Sequence, residues 1–284
     1  MDSRQVYRGM DIGTDKVRDE ARSIVPHHGL DLVEPDHRYS AGRFARDARR
    51  WIREIRSRGA LPVLAGGTGF FLKSVMEPIF TEPSLDAARL EALRRWLSEQ
   101  PTDTLSRWVT ALDPERAELA IEGGPQRMSR TLEVALLSGV PLSTWHRQAP
   151  PDGEGAHGGV LLLERPRDEI DARIRRRVPR MFERGLADEV RALLDAGYTE
   201  NTPGMTGTGY REIARHLRDE ISLEQAVEEI AATTRRYARR QLTWFRHQLP
   251  QHAVRVDASL PVERQADMAI EAMEAAGLQW PGTP

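Results

Sequence analysis

The sequence predicts an α/β fold in which a parallel-sheet core carries an all-α insertion. Three observations predict it. An apolar run, Leu61 to Ala65, leads into Gly66-Gly67-Thr68-Gly69 and then Phe70-Phe71-Leu72, the strand, glycine-rich turn and helix that place ligands at the C-terminal edge of a parallel sheet. A long stretch, Ser84 to Trp145, repeats its apolar residues at helical spacing. Strand-like runs then return at Val160 to Glu164 and Ala253 to Asp257.

The first fourteen residues are dense in polar groups and follow no strand, so taken alone they read as a solvated tail. From Ser40 to Arg58 a helix is expected, with Ser40 as N-cap, Phe44, Ala48, Trp51, Ile52 and Ile55 on one face, and Gly59 as the stop. Leu61 to Ala65 is expected as a buried strand. Leu90, Leu93, Trp96 and Leu97, then Leu105, Trp108 and Val109, mark the helical insertion, bounded here at 84–120. Segments 1–83 and 121–284 are assigned to the core. Gln148 to Gly159 has the proline and glycine content of an exposed loop. Asp168 to Ala196 is expected as one or two helices, kinked or broken near Pro179 and stopped by Gly197. Thr202 to Gly209 reads as a loop, and Leu223 to His247 as a long helix.

Composition excludes several function classes. With 39% hydrophobic and 30% charged residues among 284, the chain suits an ordered globular protein rather than a disordered one. The absence of cysteine removes disulfides, thiolate catalysis and Cys-ligated zinc. No apolar run is long enough to span a bilayer or to act as a signal peptide, so no membrane association and a cytoplasmic location are expected. The eight histidines show no metal-ligand spacing.

Although the net charge is only −2, all but two of the 41 basic residues are arginines, and they gather locally. Arg165 to Arg184 holds eight arginines against four acids, and Arg235 to Arg246 holds five arginines and no acid. Such a distribution fits an anionic partner bound on one face. In the second stretch Arg236, Arg239 and Arg240 lie on adjoining helix faces near Trp244 and Phe245, which either stack on bases or pack inward. Arginine beside aromatics favours unpaired RNA. Gly66 to Gly69 offers N–H groups and a hydroxyl at a helix N-terminus, suited to a phosphate or a nucleobase, or else forms a simple tight turn. Gln126-Arg127-Met128-Ser129-Arg130 is a third polar cluster, or an ordinary helix N-terminus.

Asp2-Ser3-Arg4-Gln5-Val6-Tyr7, Met10-Asp11-Ile12-Gly13-Thr14, Pro26-His27-His28, Gly66-Gly67-Thr68-Gly69, Gln126-Arg127, Gly209-Tyr210-Arg211-Glu212 and Arg240-Gln241-Leu242-Thr243-Trp244 occur in order. With this ordered set the chain resembles the tRNA dimethylallyltransferases from residue 1 to about residue 257. That family moves a dimethylallyl group from dimethylallyl diphosphate to N6 of the adenosine just 3′ of the anticodon. The resemblance implies a P-loop NTPase-like core, a helical insertion closing on the anticodon stem-loop, tRNA as partner, Mg²⁺ as cofactor and a monomer. It implies that Asp2 is the general base, that Ser3, Arg4 and Gln5 hold the adenosine, and that Arg177 stabilises the departing diphosphate. It also implies tRNA contacts from Thr68, from Gln126, Arg127, Met128, Ser129 and Arg130, and from Arg239, Arg240, Gln241 and Trp244. The target base is expected to be flipped out to reach the acid.

The family pattern opens with a strand and a G-x-x-x-x-G-K-[ST] phosphate loop, and no such sequence occurs in these 284 residues. On that ground the first strand, loop and first helix are expected to be absent, and this chain is expected to have little or no transferase activity. Two other readings stay open: a noncatalytic tRNA-binding remnant, and an adenylate isopentenyltransferase acting on free nucleotide.

Overall fold

The computed structural model describes residues 1–81, 83–275 and 277. The chain divides into two compact units, one built from residues 1–77 and 155 onward, the other from residues 78–154.

In the first unit α1 (Asp19–Ile24), α2 (Ala41–Ser57) and α3 (Gly69–Met76) precede the second unit in sequence. Ser40 caps α2 by accepting the Arg43 N–H, and Gly59 follows the helix with a positive φ of 70°, both as expected. Helix α2 packs on α3 through Phe44, which stacks on Phe71 with ring centroids 4.3 Å apart. The buried Arg49 adds a hydrogen bond to the Ser74 carbonyl across the same interface.

The second unit is all helical: α4 (Ala87–Ser98), α5 (Thr102–Leu112), α6 (Ala117–Glu122), α7 (Pro125–Ser138) and α8 (Leu142–Gln148). Leu97, Leu105 and Val109 share one core with Ala117, Ala120, Met128 and Leu132. Because α7 supplies Met128 and Leu132 to that core, the unit extends past the 84–120 expected from the sequence.

The first unit resumes with β1 (Leu161–Glu164), α9 (Arg167–Glu183), α10 (Leu186–Asp195), α11 (Tyr210–Leu217), α12 (Leu223–Gln248), β2 (Val254–Asp257) and α13 (Val262–Ala275). Strands β1 and β2 pair in parallel, from Leu161 opposite Val254 to Glu164 opposite Asp257. Pro179 lies inside an unbroken α9, and the break falls instead at Gly185, whose φ of 94° suits glycine. Gly197 closes the next helix at φ 90°, as its position predicts.

Two further expectations change. Leu61 to Ala65 has the extended composition of a strand but no ladder partner among the described residues, and Val63 is 77% exposed, so it forms neither a buried nor a paired strand. The N-terminal segment is not a solvated tail. Val6 and Met10 are fully buried with Tyr7, Ile213 and Met205 in the main core, and Tyr7 bridges to Val33. Lys16 is buried too, donating to the Tyr7 carbonyl at 2.8 Å and pairing with Asp31 at 2.6 Å and Asp11, so its charge is compensated where water is excluded. Among the described residues no helix is long and apolar enough to cross a membrane.

Candidate active site

Asp2 stands at the start of a tight turn that its own carboxylate builds. Oδ1 accepts the backbone N–H of Arg4 at 2.7 Å and of Gln5 at 3.3 Å, the local bonding for which aspartate is favoured in turns. Among the described residues no hydrogen bond reaches Oδ2. The turn is seated on the glycine-rich segment at two points. The Met1 amino group donates to the Ala65 carbonyl, and the Ser3 N–H donates to Thr68 Oγ1 at 3.2 Å. Burial pulls the Met1 amine below its usual pKa, and the neighbouring Asp2 charge partly offsets this.

Helix α12 closes over the other side of the same segment. The Gln241 side-chain amide donates to the Gly67 carbonyl at 2.8 Å, and a Cβ at Gly67 would collide with Gln241, one at Gly69 with Trp244 and one at Gly66 with the Met1 carbonyl. The glycines therefore allow close backbone approach, and the partly buried Trp244 packs against Gly69. Arg239 and Arg240 are exposed on this helix. The Arg240 guanidinium lies 5.9 Å from the Tyr237 ring centroid.

Arg4 is committed to the fold, donating to the Pro203 carbonyl at 2.9 Å and to Thr206 Oγ1 at 3.0 Å. Gln5 donates to the carbonyls of Thr14 and Asp15, leaving its own Oε1 available as an acceptor. Arg177 projects from α9, half exposed, with Nε 3.6 Å from Asp15 Oδ2. Asp2, Gln5, Thr68, Gln241 and Arg177 are thus held in one compact unit by a connected set of hydrogen bonds and ion pairs.

The run 126–130 belongs to the other unit, at the start of α7. Gln126 and Arg127 are exposed, and Arg130 pairs with Glu133 at 3.4 Å. Met128 is fully buried in that unit's core, so its side chain holds the helix instead of meeting a partner.

Sequence reasoning missed Glu189. From α10 its carboxylate accepts the N–H groups of Asp11 at 2.8 Å, Ile12 at 2.6 Å and Gly13 at 3.0 Å. The only signal was an acid on an otherwise amphipathic helix, indistinguishable from a surface residue. Among the described residues no group of three or more His, Asp or Glu gathers to hold a metal ion. A Mg²⁺ ion held by one or two side chains together with substrate phosphates needs no such group.

The IPP transferase family model matches residues 5–248. The tRNA dimethylallyltransferase of Carboxydothermus hydrogenoformans is 40% identical over 249 residues, spanning 86% of this chain and 79% of that protein. The enzyme of the same name from Thermomicrobium roseum is 42% identical over 253 residues, spanning 86% and 74%. Among solved structures, the full-length tRNA isopentenylpyrophosphate transferase of Bacillus halodurans aligns with a TM-score of 0.64 at 31% identity, covering 98% of this chain and 88% of that one. A eukaryotic dimethylallyltransferase acting on tRNA aligns at 0.76 with 22% identity, covering 96% and 71%, a likeness of fold. With the match spanning most of its length and the motif segments meeting around Thr68, the chain belongs to the IPP transferase family.

Proposed function

We propose that this protein transfers a dimethylallyl group from dimethylallyl diphosphate to the exocyclic N6 of the adenosine 3′ of the anticodon in tRNA. The observation that carries the reading is the convergence, on one glycine-rich turn, of the Asp2 turn and the arginine-bearing helix α12, through Ser3 to Thr68 and Gln241 to Gly67.

An amine conjugated to a purine is a weak nucleophile, and a carboxylate placed to take its proton supplies the missing basicity. Asp2 Oδ1 is occupied by backbone N–H groups, which fixes the carboxylate, while Oδ2 carries no competing bond among the described residues. As N6 attacks the allylic carbon a C–N bond forms, the C–O bond to the diphosphate breaks with its electron pair, and the N6 proton passes to Asp2. Arg177 neutralises the charge that builds on the departing diphosphate, where a fixed cation acts most strongly. Gln5 Oε1 and the Thr68 hydroxyl orient the base. Arg239 and Arg240 contact tRNA phosphates, as do Gln126, Arg127 and Ser129 on α7.

The test is incubation with labelled dimethylallyl diphosphate and unmodified tRNA, followed by mass analysis of the released nucleosides. N6-dimethylallyladenosine, formed far more slowly by Asp2→Asn, supports the reading. Tight tRNA binding with no product, the outcome expected if the phosphate loop is lacking, favours a tRNA-binding protein without turnover. Product formed on free AMP in place of tRNA favours an adenylate isopentenyltransferase.

A further inference from the structure

Arg173, Arg177, Arg180 and Arg184 recur along α9 and its C-terminal end at spacings of four, three and four residues, which sets them on one helix face over about 16 Å. Among the described residues a single acid forms ion pairs with this stripe. Asp15 places Oδ1 3.1 Å from Arg184 Nη1 and Oδ2 3.6 Å from Arg177 Nε, with its side chain 45% exposed.

Asp15 is not a chance partner from a loose loop. Its N–H donates to the Ile12 carbonyl at 3.1 Å, its own carbonyl accepts from Gln5 Nε2, and the residues just before it are clamped by Glu189. It holds a left-handed φ of 51°, which aspartate and asparagine tolerate better than most residues. One carboxylate thus bridges two guanidiniums on a face that keeps a surplus of positive charge. Carboxylate and phosphate oxygens present the same acceptor geometry to arginine.

We infer that Asp15 is a resident counter-ion in a diphosphate site along α9, displaced when substrate binds, and that Arg184 is a second diphosphate-binding residue beside Arg177. The inference rests on the reading of Arg177 given under Proposed function. While the site is empty, Asp15 keeps the two arginines apart from other acids and aimed at one point. An entering diphosphate takes over both guanidiniums and must outcompete the carboxylate, so the resident acid lowers affinity and selects for a more highly charged anion.

The test is calorimetric titration of the full chain with inorganic pyrophosphate at low salt. Asp15→Asn should tighten binding about fivefold, the scale of two part-exposed ion pairs that no longer compete, and Arg184→Ala should weaken it about tenfold. Asp15→Gly, which also accepts the left-handed backbone, serves as the second variant if the asparagine form does not fold. Unchanged or weaker binding in the Asp15 variants overturns the counter-ion role, and wild-type binding in Arg184→Ala overturns the second residue. Weakened binding in Arg177→Ala alone would sink this inference and spare the assignment of Arg177, whereas no change in Arg177→Ala would remove both.

Discussion

Tyr210 donates its phenol to the Glu189 carboxylate at 2.7 Å, and that carboxylate also accepts three consecutive backbone N–H groups from Asp11, Ile12 and Gly13. Burial, and then the adjacent Glu189 charge, push the Tyr210 phenol far above its usual pKa, so it stays a donor at any physiological pH. A Cβ at Gly13 would lie 2.5 Å from the Tyr210 ring. The arrangement ties the N-terminal segment to α10 and α11. Tyr210→Phe is expected to cost about 1.5–3 kcal/mol, the range for a hydrogen bond to a charged group. The midpoint of a urea unfolding curve checks this, and Gly13→Ala should shift it in the same direction.

Asp2→Asn should lower the rate of prenyl transfer by about 10²–10⁴-fold, the usual contribution of a positioned general base. Asparagine still accepts the N–H groups of Arg4 and Gln5 through its carbonyl oxygen, so the turn survives and tRNA affinity stays close to wild type. Steady-state kinetics with KM resolved from kcat would check both halves.

How much of the fold and site is legible in the sequence depends on where the determining contacts lie in the chain. The cap at Ser40, the stops at Gly59 and Gly197 and the length of α12 follow from neighbouring residues, and they appear as the sequence predicts. The N-terminal segment reads wrongly because its apolar residues are few. Val6, Tyr7 and Met10 are buried by partners such as Val33, Met205 and Ile213, and the two last are some two hundred positions away. The strand expected at Leu61 to Ala65 shows the converse, since composition favours extended backbone but a ladder needs a partner. At the site, Asp2 and the glycine-rich turn are visible through ordered motifs, and Arg177 through the resemblance those motifs carry. Asp15, Arg184 and Glu189 are not, because only the fold brings those charges together.

Replacing both Arg239 and Arg240 with glutamine should weaken tRNA binding across tRNA species alike. The slope of log affinity against log salt should become shallower by about one for each phosphate that is no longer neutralised. Filter binding over a salt series measures it. An unchanged slope would show that α12 meets no phosphates.

His146 gives the helical unit a dependence on pH. Burial, with Arg116 Nη1 3.2 Å from its Nδ1 and Arg130 nearby, holds the imidazole below its usual value of 6.5, against the opposing pull of Asp113. As pH falls through 6.5 the unfolded chain takes up a proton here that the folded chain resists, so stability declines on the acid side and is level above it. Thermal melts at about pH 7.5 and about pH 5.5 should show a larger acid loss for wild type than for His146→Gln.

The glycine-rich turn also fixes something about the long helix above it. Gln241 and Trp244 meet Gly67 and Gly69 at distances too tight for even a methyl group, and one residue advances a helix by about 100°. The turn therefore reads the phase of α12. Deleting or inserting a single residue between the buried Ile230 and Gln241 would swing both side chains off the turn and carry the arginines around with them, although every residue type in the interface would be retained. Descendants of this sequence can exchange many side chains along that helix, but they cannot readily change how many residues it counts.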